Sequence, residues 1–81
     1  MRSIKEELKQ IGIELESRYL IYRKQETTFV VPYYHIRTLE FKGNRIVLYT
    51  GGVERIVIEV PEYYALPLFE ELLLHIERVY L

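Results

Sequence analysis

Eighty-one residues with a formal net charge of −1 and no cysteine suffice for one hydrophobic core, near the lower size limit of an unaided domain. The composition excludes disulfides and thiolate metal sites, and no apolar run approaches the ~20 residues that a bilayer span requires. With no signal-peptide pattern at its start, the chain is expected to be one intracellular, cytoplasmic domain over residues 1–81.

The opening SIKEELKQIG predicts a short helix over residues 3–11. Ser3 and Glu6 have capping-box spacing, in which each side chain bonds the other's backbone N–H. Ile4, Leu8 and Ile11 fall on one helical face, and Gly12 can adopt the left-handed conformation that stops a helix. From Ile13 to Val60 the period changes to two. RYLIYRK and TTFVVP read as strands around a polar Gln-Glu pair. IRTLEFK, RIVLYT and VERIVIEV follow, separated by Gly43-Asn44 and Gly51-Gly52, two-residue hairpin signals. Pro32 cannot donate to a strand ladder, so a bend or bulge is expected over residues 32–35. In the tail, Pro67 suits a first helical turn but disfavours helical geometry at Leu66. The main helix is therefore predicted over residues 67–81, with Pro61–Ala65 at most a separate turn. Its apolar stripe is Phe69, Leu72, Leu73, Ile76 and Tyr80. The expected fold is α+β: a short N-terminal helix, a mainly antiparallel meander of four or five strands, and a C-terminal helix packed on one face.

Two-residue turns at both glycine pairs define a register. Phe41 then faces Ile46 and Leu39 faces Leu48, while Leu48 faces Arg55 and Ile46 faces Val57. One face collects Leu39, Phe41, Ile46, Leu48, Val53 and Val57 as core. The other carries Val47, Tyr49, Ile56 and Ile58, an apolar patch framed by charge whose exposure to water is costly. Together with Leu74 and Leu81, which lie off the helix stripe, these residues predict an interface with a second copy, most simply a homodimer.

The polar residues are skewed: twelve glutamates and no aspartate, with one asparagine and two glutamines, a composition resembling that of heat-adapted chains. Charge is also unevenly placed. Residues 18–56 carry seven basic and three acidic groups, a net +4, whereas residues 57–81 carry one basic and five acidic groups, a net −4. The basic middle interleaves Arg18, Arg23, Lys24, Arg37, Arg45 and Arg55 with Tyr19, Tyr22, Tyr33 and Tyr34, and adds His35. Cations for phosphate and aromatics for stacking are the ingredients of a single-strand-binding sheet, so nucleic acid is the alternative partner. His35 and Arg37 also support a weaker alternative, a metal-independent nuclease in which His moves the proton and Arg stabilises charge. His75 shares a helix face with Glu71, but no further ligand accompanies them, which predicts a surface or interface histidine rather than a metal site. No phosphate-loop or dinucleotide motif occurs. A non-enzymatic interaction module is expected, with no cofactor, metal or small-molecule ligand indicated.

FVVPYYHIRTLEFKGNRIVLYT, within residues 29–58, resembles two families. One is the LytTR-type DNA-binding domain, in which a Val-Pro segment leads into an I-x-x-I-x strand, a Gly/Asn turn and another strand. The other is the bacterial pleckstrin-homology-like group, which also ends in an amphipathic helix. The resemblance rests on the hairpin, and no functional residue carries over from either family.

Overall fold

The computed structural model describes residues 3–52 and 54–80. Ser3 caps the first helix, α1 (Ile4–Gln10), its hydroxyl accepting from the Glu6 N–H at 3.3 Å. Leu8 is the fully buried residue of α1, with Ile4 packed beside it. Ile11 already leaves helical geometry and reaches solvent, so the predicted third member of the stripe is not core. Gly12, at φ +92°, ends the helix as expected and turns the chain into β1 (Ile13–Leu15).

β1, β2 (Tyr19–Lys24) and β3 (Thr27–Pro32) form a three-stranded antiparallel sheet in the order β1-β2-β3. Its inner face contributes Ile13, Leu20, Tyr22 and Val31 to the core. The β2–β3 connection is the two-residue pair Gln25-Glu26, with Lys24 opposite Thr27. Gln25 takes φ +53°, a left-handed conformation that disfavours a long side chain. Asparagine tolerates it better, so Gln25→Asn at this exposed tip is expected to raise stability by up to ~1 kcal/mol. Urea denaturation followed by circular dichroism reads this directly, and an unchanged or lower midpoint would contradict it.

A 3₁₀ turn at Tyr33–His35 follows Pro32, at the place where a bend is expected. It does more than bend the chain. Tyr33 N–H bonds to the Arg18 carbonyl and Ile36 N–H to the Tyr33 carbonyl, both at 3.0 Å. β3 is left as an edge, and β4 (Thr38–Lys42) starts a second three-stranded sheet with β5 (Arg45–Tyr49) and β6 (Arg55–Glu59), in the order β4-β5-β6. The architecture is therefore α+β, but with two three-stranded sheets in place of one meander of four or five strands.

The first hairpin of this second sheet has the expected register, Phe41 opposite Ile46 and Leu39 opposite Leu48. The second does not. Leu48 pairs with Ile56 and Ile46 with Ile58, one residue away from the register of a two-residue turn. Arg37 explains the wider connection: its N–H bonds to the Tyr49 carbonyl at 2.7 Å, and its side chain packs over Gly51 (φ +89°). Tyr49 is thus held against the chain ahead of β4, and the β5–β6 ladder closes with Tyr49 opposite Arg55. A one-residue shift turns every side chain over. Ile56 and Ile58 enter the core side, Ile58 completely, while Val57 moves outward. Val53, assigned to the core on the sequence pattern, lies outside the described residues.

The last element, α2, runs over Glu62–Tyr80, starting five residues before Pro67. Pro61 stands where a starting proline belongs, its carbonyl accepting from Tyr64 N–H at 2.8 Å. Pro67 removes a single intrahelical bond, the one to the Tyr63 carbonyl; Tyr63 is exposed, so water can satisfy that carbonyl. The longer helix has a different inner face: Ala65, Leu68, Leu72 and His75 are buried, flanked by Tyr64, Phe69, Ile76 and Val79. Leu73 and Tyr80, assigned to the stripe from sequence, face solvent. α2 covers the second sheet through Phe69, whose ring meets Phe41 at a centroid distance of 5.0 Å. No described helix is long and apolar enough to cross a membrane.

Candidate functional site

The arginines and tyrosines of the basic middle do not form one patch. Tyr22 and Tyr33 are core residues and are unavailable to a ligand; Tyr22 stacks on its cross-strand partner Phe29 at 6.0 Å. Period-two alternation put these tyrosines on strands or at strand ends, but only packing could determine which side was covered. Arg23 is ion-paired with Glu14 on the outer face of the first sheet, and exposed Tyr19 stands at the other end of the same strand. Lys24 sits exposed at the end of β2, next to the hairpin tip. Arg37 lies against Gly51. Arg45 and Arg55 belong to the outer face of the second sheet, where Glu40 and Glu59 alternate with them and Lys42. The strands thus distribute their cations over two sheets, several with acidic neighbours.

The predicted interface patch is likewise reduced. Ile58 is fully buried within the chain, Ile56 packs on the core, and Val47 is buried beneath the side chains of its own sheet face. Tyr49 is half-buried and Leu81 lies outside the described residues, leaving Leu74 as the plainly exposed member of the set. The reason is the β5–β6 register: the patch was assembled from a face that Ile56 and Ile58 do not share.

Other residues do converge. Ser17 and Arg18 form the tip of the β1–β2 hairpin, closed by Glu16 N–H donating to the Tyr19 carbonyl at 2.9 Å. Tyr33 pins this tip from below: its N–H holds the Arg18 carbonyl, and its hydroxyl donates to the Glu16 carbonyl at 2.7 Å. Burial, reinforced by the nearby Glu16 carboxylate, pushes the Tyr33 phenol well above its ordinary value. Behind Tyr33 lies the buried His75, with ring centroids 5.3 Å apart. His75 Nδ1–H donates to the Glu71 carbonyl one helical turn back at 2.8 Å, which fixes the proton on that nitrogen in the neutral ring. The surface or interface histidine expected from sequence is therefore a core residue, placed there by the phase of α2.

Above this support, Ser17, Arg18, Tyr34, Arg78 and Val79 line a cleft of about 340 Å³. Tyr80, the last residue of α2, donates its hydroxyl to the Tyr34 carbonyl at 2.9 Å and ties the helix end to the 3₁₀ turn. His35 packs against the exposed Tyr34 ring at 4.2 Å. Three elements distant in sequence are thus held as one wall. Sequence reasoning named Arg18, Tyr34 and His35 but missed Ser17 and Arg78. Two signals for these were present: a polar Ser-Arg pair between apolar strands, and the lone cation among five glutamates in residues 57–81. Among the described residues, no group of three or more His, Asp and Glu is arranged to hold a metal ion. Compared with family models, curated proteins and solved structures, the chain finds no match.

Proposed function

We propose that this chain is a non-enzymatic interaction module that self-associates through the outer face of α2. The observation behind this reading is the row Tyr63, Leu66, Leu73, Leu74 and Tyr80, all exposed on a single helix whose opposite side is already buried in the core. At ~100° per residue, these five span about 120° of arc. Scattered apolar side chains on a surface are ordinary, but five of them gathered on one side of a helix, with Glu70 and Glu77 among them, fit an interaction site. A second copy of the chain remains the occupant favoured here, now docked on the helix rather than on the outer face of a sheet.

Glu70 and Glu77 lie within the same arc. Pairing two such helices brings like charges together, so salt should strengthen the assembly by screening them and favouring apolar burial. Nucleic-acid binding would weaken with salt, and the two readings therefore diverge in one titration. Analytical ultracentrifugation of the wild type should show a dimer that persists or tightens as sodium chloride is raised. Leu66→Gln combined with Leu74→Gln, which keeps helix propensity, should weaken it by at least about a hundredfold, given ~1.5–3 kcal/mol per buried leucine. A wild-type monomer at tens of micromolar, or an unchanged assembly in the double variant, would refute self-association here.

A further inference from the structure

Arg18 and Arg78 face one cleft, and neither has a carboxylate partner among the described residues. Arg78 alone would need no explanation, since a cation in the last turn of a helix balances its dipole. That account does not extend to Arg18, which sits on a hairpin tip. Glu16, its nearest acidic neighbour in sequence, borders a different cleft, beside Lys5 and Lys9. Bringing two guanidinium groups to one concavity without a counter-ion is unfavourable unless an anion joins them.

The walls are also held in place before any ligand arrives. Tyr33 fixes the hairpin tip through two hydrogen bonds, and Tyr80 fixes the backbone at Tyr34. Pre-organised donors bind more tightly because less side-chain and loop freedom is lost on association. From this geometry we infer that the Arg18–Arg78 cleft binds a nucleoside monophosphate group, its phosphate between the two guanidiniums and its base against the Tyr34 ring. This site adjoins the self-association surface described above, Tyr80 belonging to that surface while its hydroxyl holds the Tyr34 wall of the cleft.

Charge and size both favour that ligand class. A phosphomonoester carries about −1.5 to −2 at neutral pH and matches two arginines better than a single carboxylate does. Guanidinium forks bind phosphate oxygens in bidentate fashion, and the Ser17 hydroxyl adds a donor. An exposed tyrosine offers a stacking platform for a base. At about 340 Å³ the cleft lies at the lower end of small-ligand pockets, large enough for one nucleotide and too small for a duplex. The group can come from a free nucleotide or from the phosphorylated end of a single strand, and both present the same chemistry.

Isothermal titration of the full chain with adenosine monophosphate, adenosine and inorganic phosphate tests the assignment. Adenosine monophosphate should bind more tightly than either fragment. Arg18→Gln and Arg78→Gln should each weaken it by roughly tenfold or more, and Tyr34→Ala by roughly fivefold or more. These side chains are outside the core, and circular dichroism of each variant verifies that it is folded. A short single strand with a terminal phosphate serves as the second probe. Equal affinity identifies a free nucleotide as the source, and much tighter binding identifies a strand end. No binding at millimolar concentrations, equal binding of phosphate alone, or an affinity unchanged in folded Arg18→Gln and Arg78→Gln would overturn the site.

Discussion

Tyr33→Ala is expected to cost the chain about 3–5 kcal/mol, a large share of its total stability. A domain of this length has a total stability of about 4–12 kcal/mol, and truncating a fully buried aromatic side chain typically costs about 3–5 kcal/mol. The alanine keeps the backbone bond to the Arg18 carbonyl but loses the hydroxyl bond to the Glu16 carbonyl and the ring that supports His75. Tyr33→Phe separates these roles. It keeps the ring and the backbone bond, loses only the hydroxyl bond to Glu16, and should cost about 1 kcal/mol. Urea midpoints of the two variants should therefore differ strongly, and similar midpoints would show that the ring is not the main support.

The hydroxyl has a further signature at high pH. The folded chain holds the Tyr33 phenol protonated above the ordinary value of about 10, where the unfolded chain releases its proton. The unfolded state then binds fewer protons than the folded one, so stability is complete below about pH 10 and falls as pH rises beyond it. Tyr33→Phe removes this contribution, and its urea midpoint should decline less steeply in that range than that of the wild type. Parallel declines would exclude Tyr33 as the group responsible.

The second large effect is expected at Gly12→Ala, with a loss of about 2–4 kcal/mol. A side chain at φ +92° is strained in itself, by about 1–2 kcal/mol. In addition, an added Cβ would stand 2.7 Å from the Arg23 carbonyl oxygen, a backbone atom that cannot swing aside. Gly12 is tied to that residue, its carbonyl accepting from Arg23 N–H at 2.8 Å, so relief requires opening the β1–β2 ladder. Gly43→Ala is the control. It shares the positive φ, but nothing lies within 4 Å of its would-be Cβ, and only the strain of about 1 kcal/mol should appear. Thermal melts of the two variants check the prediction, and equal losses would show that the contact with Arg23 is not decisive.

What could be read in advance divides along a physical line. Features governed by neighbours in sequence were legible: the Ser3 cap, the stop at Gly12, the Gly43-Asn44 hairpin with its register, and the bend after Pro32. In each, a few adjacent residues supply both the hydrogen bonds and the dihedral preferences. The Gly51-Gly52 turn looked equally local but was not, because Arg37, fourteen residues upstream, occupies the space above Gly51. The apolar pattern held the better clue. Ile56, Ile58 and Val60 share one parity, while the other mixes Val57 with Arg55 and Glu59, so burying the first set gains more.

The candidate cleft was only half legible for the same reason. Arg18 and Tyr34 carry recognisable chemistry, but their meeting with Arg78 depends on how the last turn of α2 docks against the 3₁₀ turn and the first hairpin. By itself the sequence determined an α+β chain, its caps and its tight turns, because those energies are local. The tertiary structure alone decided the division into two sheets, the face α2 buries, and the removal of Tyr22, Tyr33, Ile58 and His75 from the surface. Burial is a property of what packs on a residue, and that is settled only when distant elements come together.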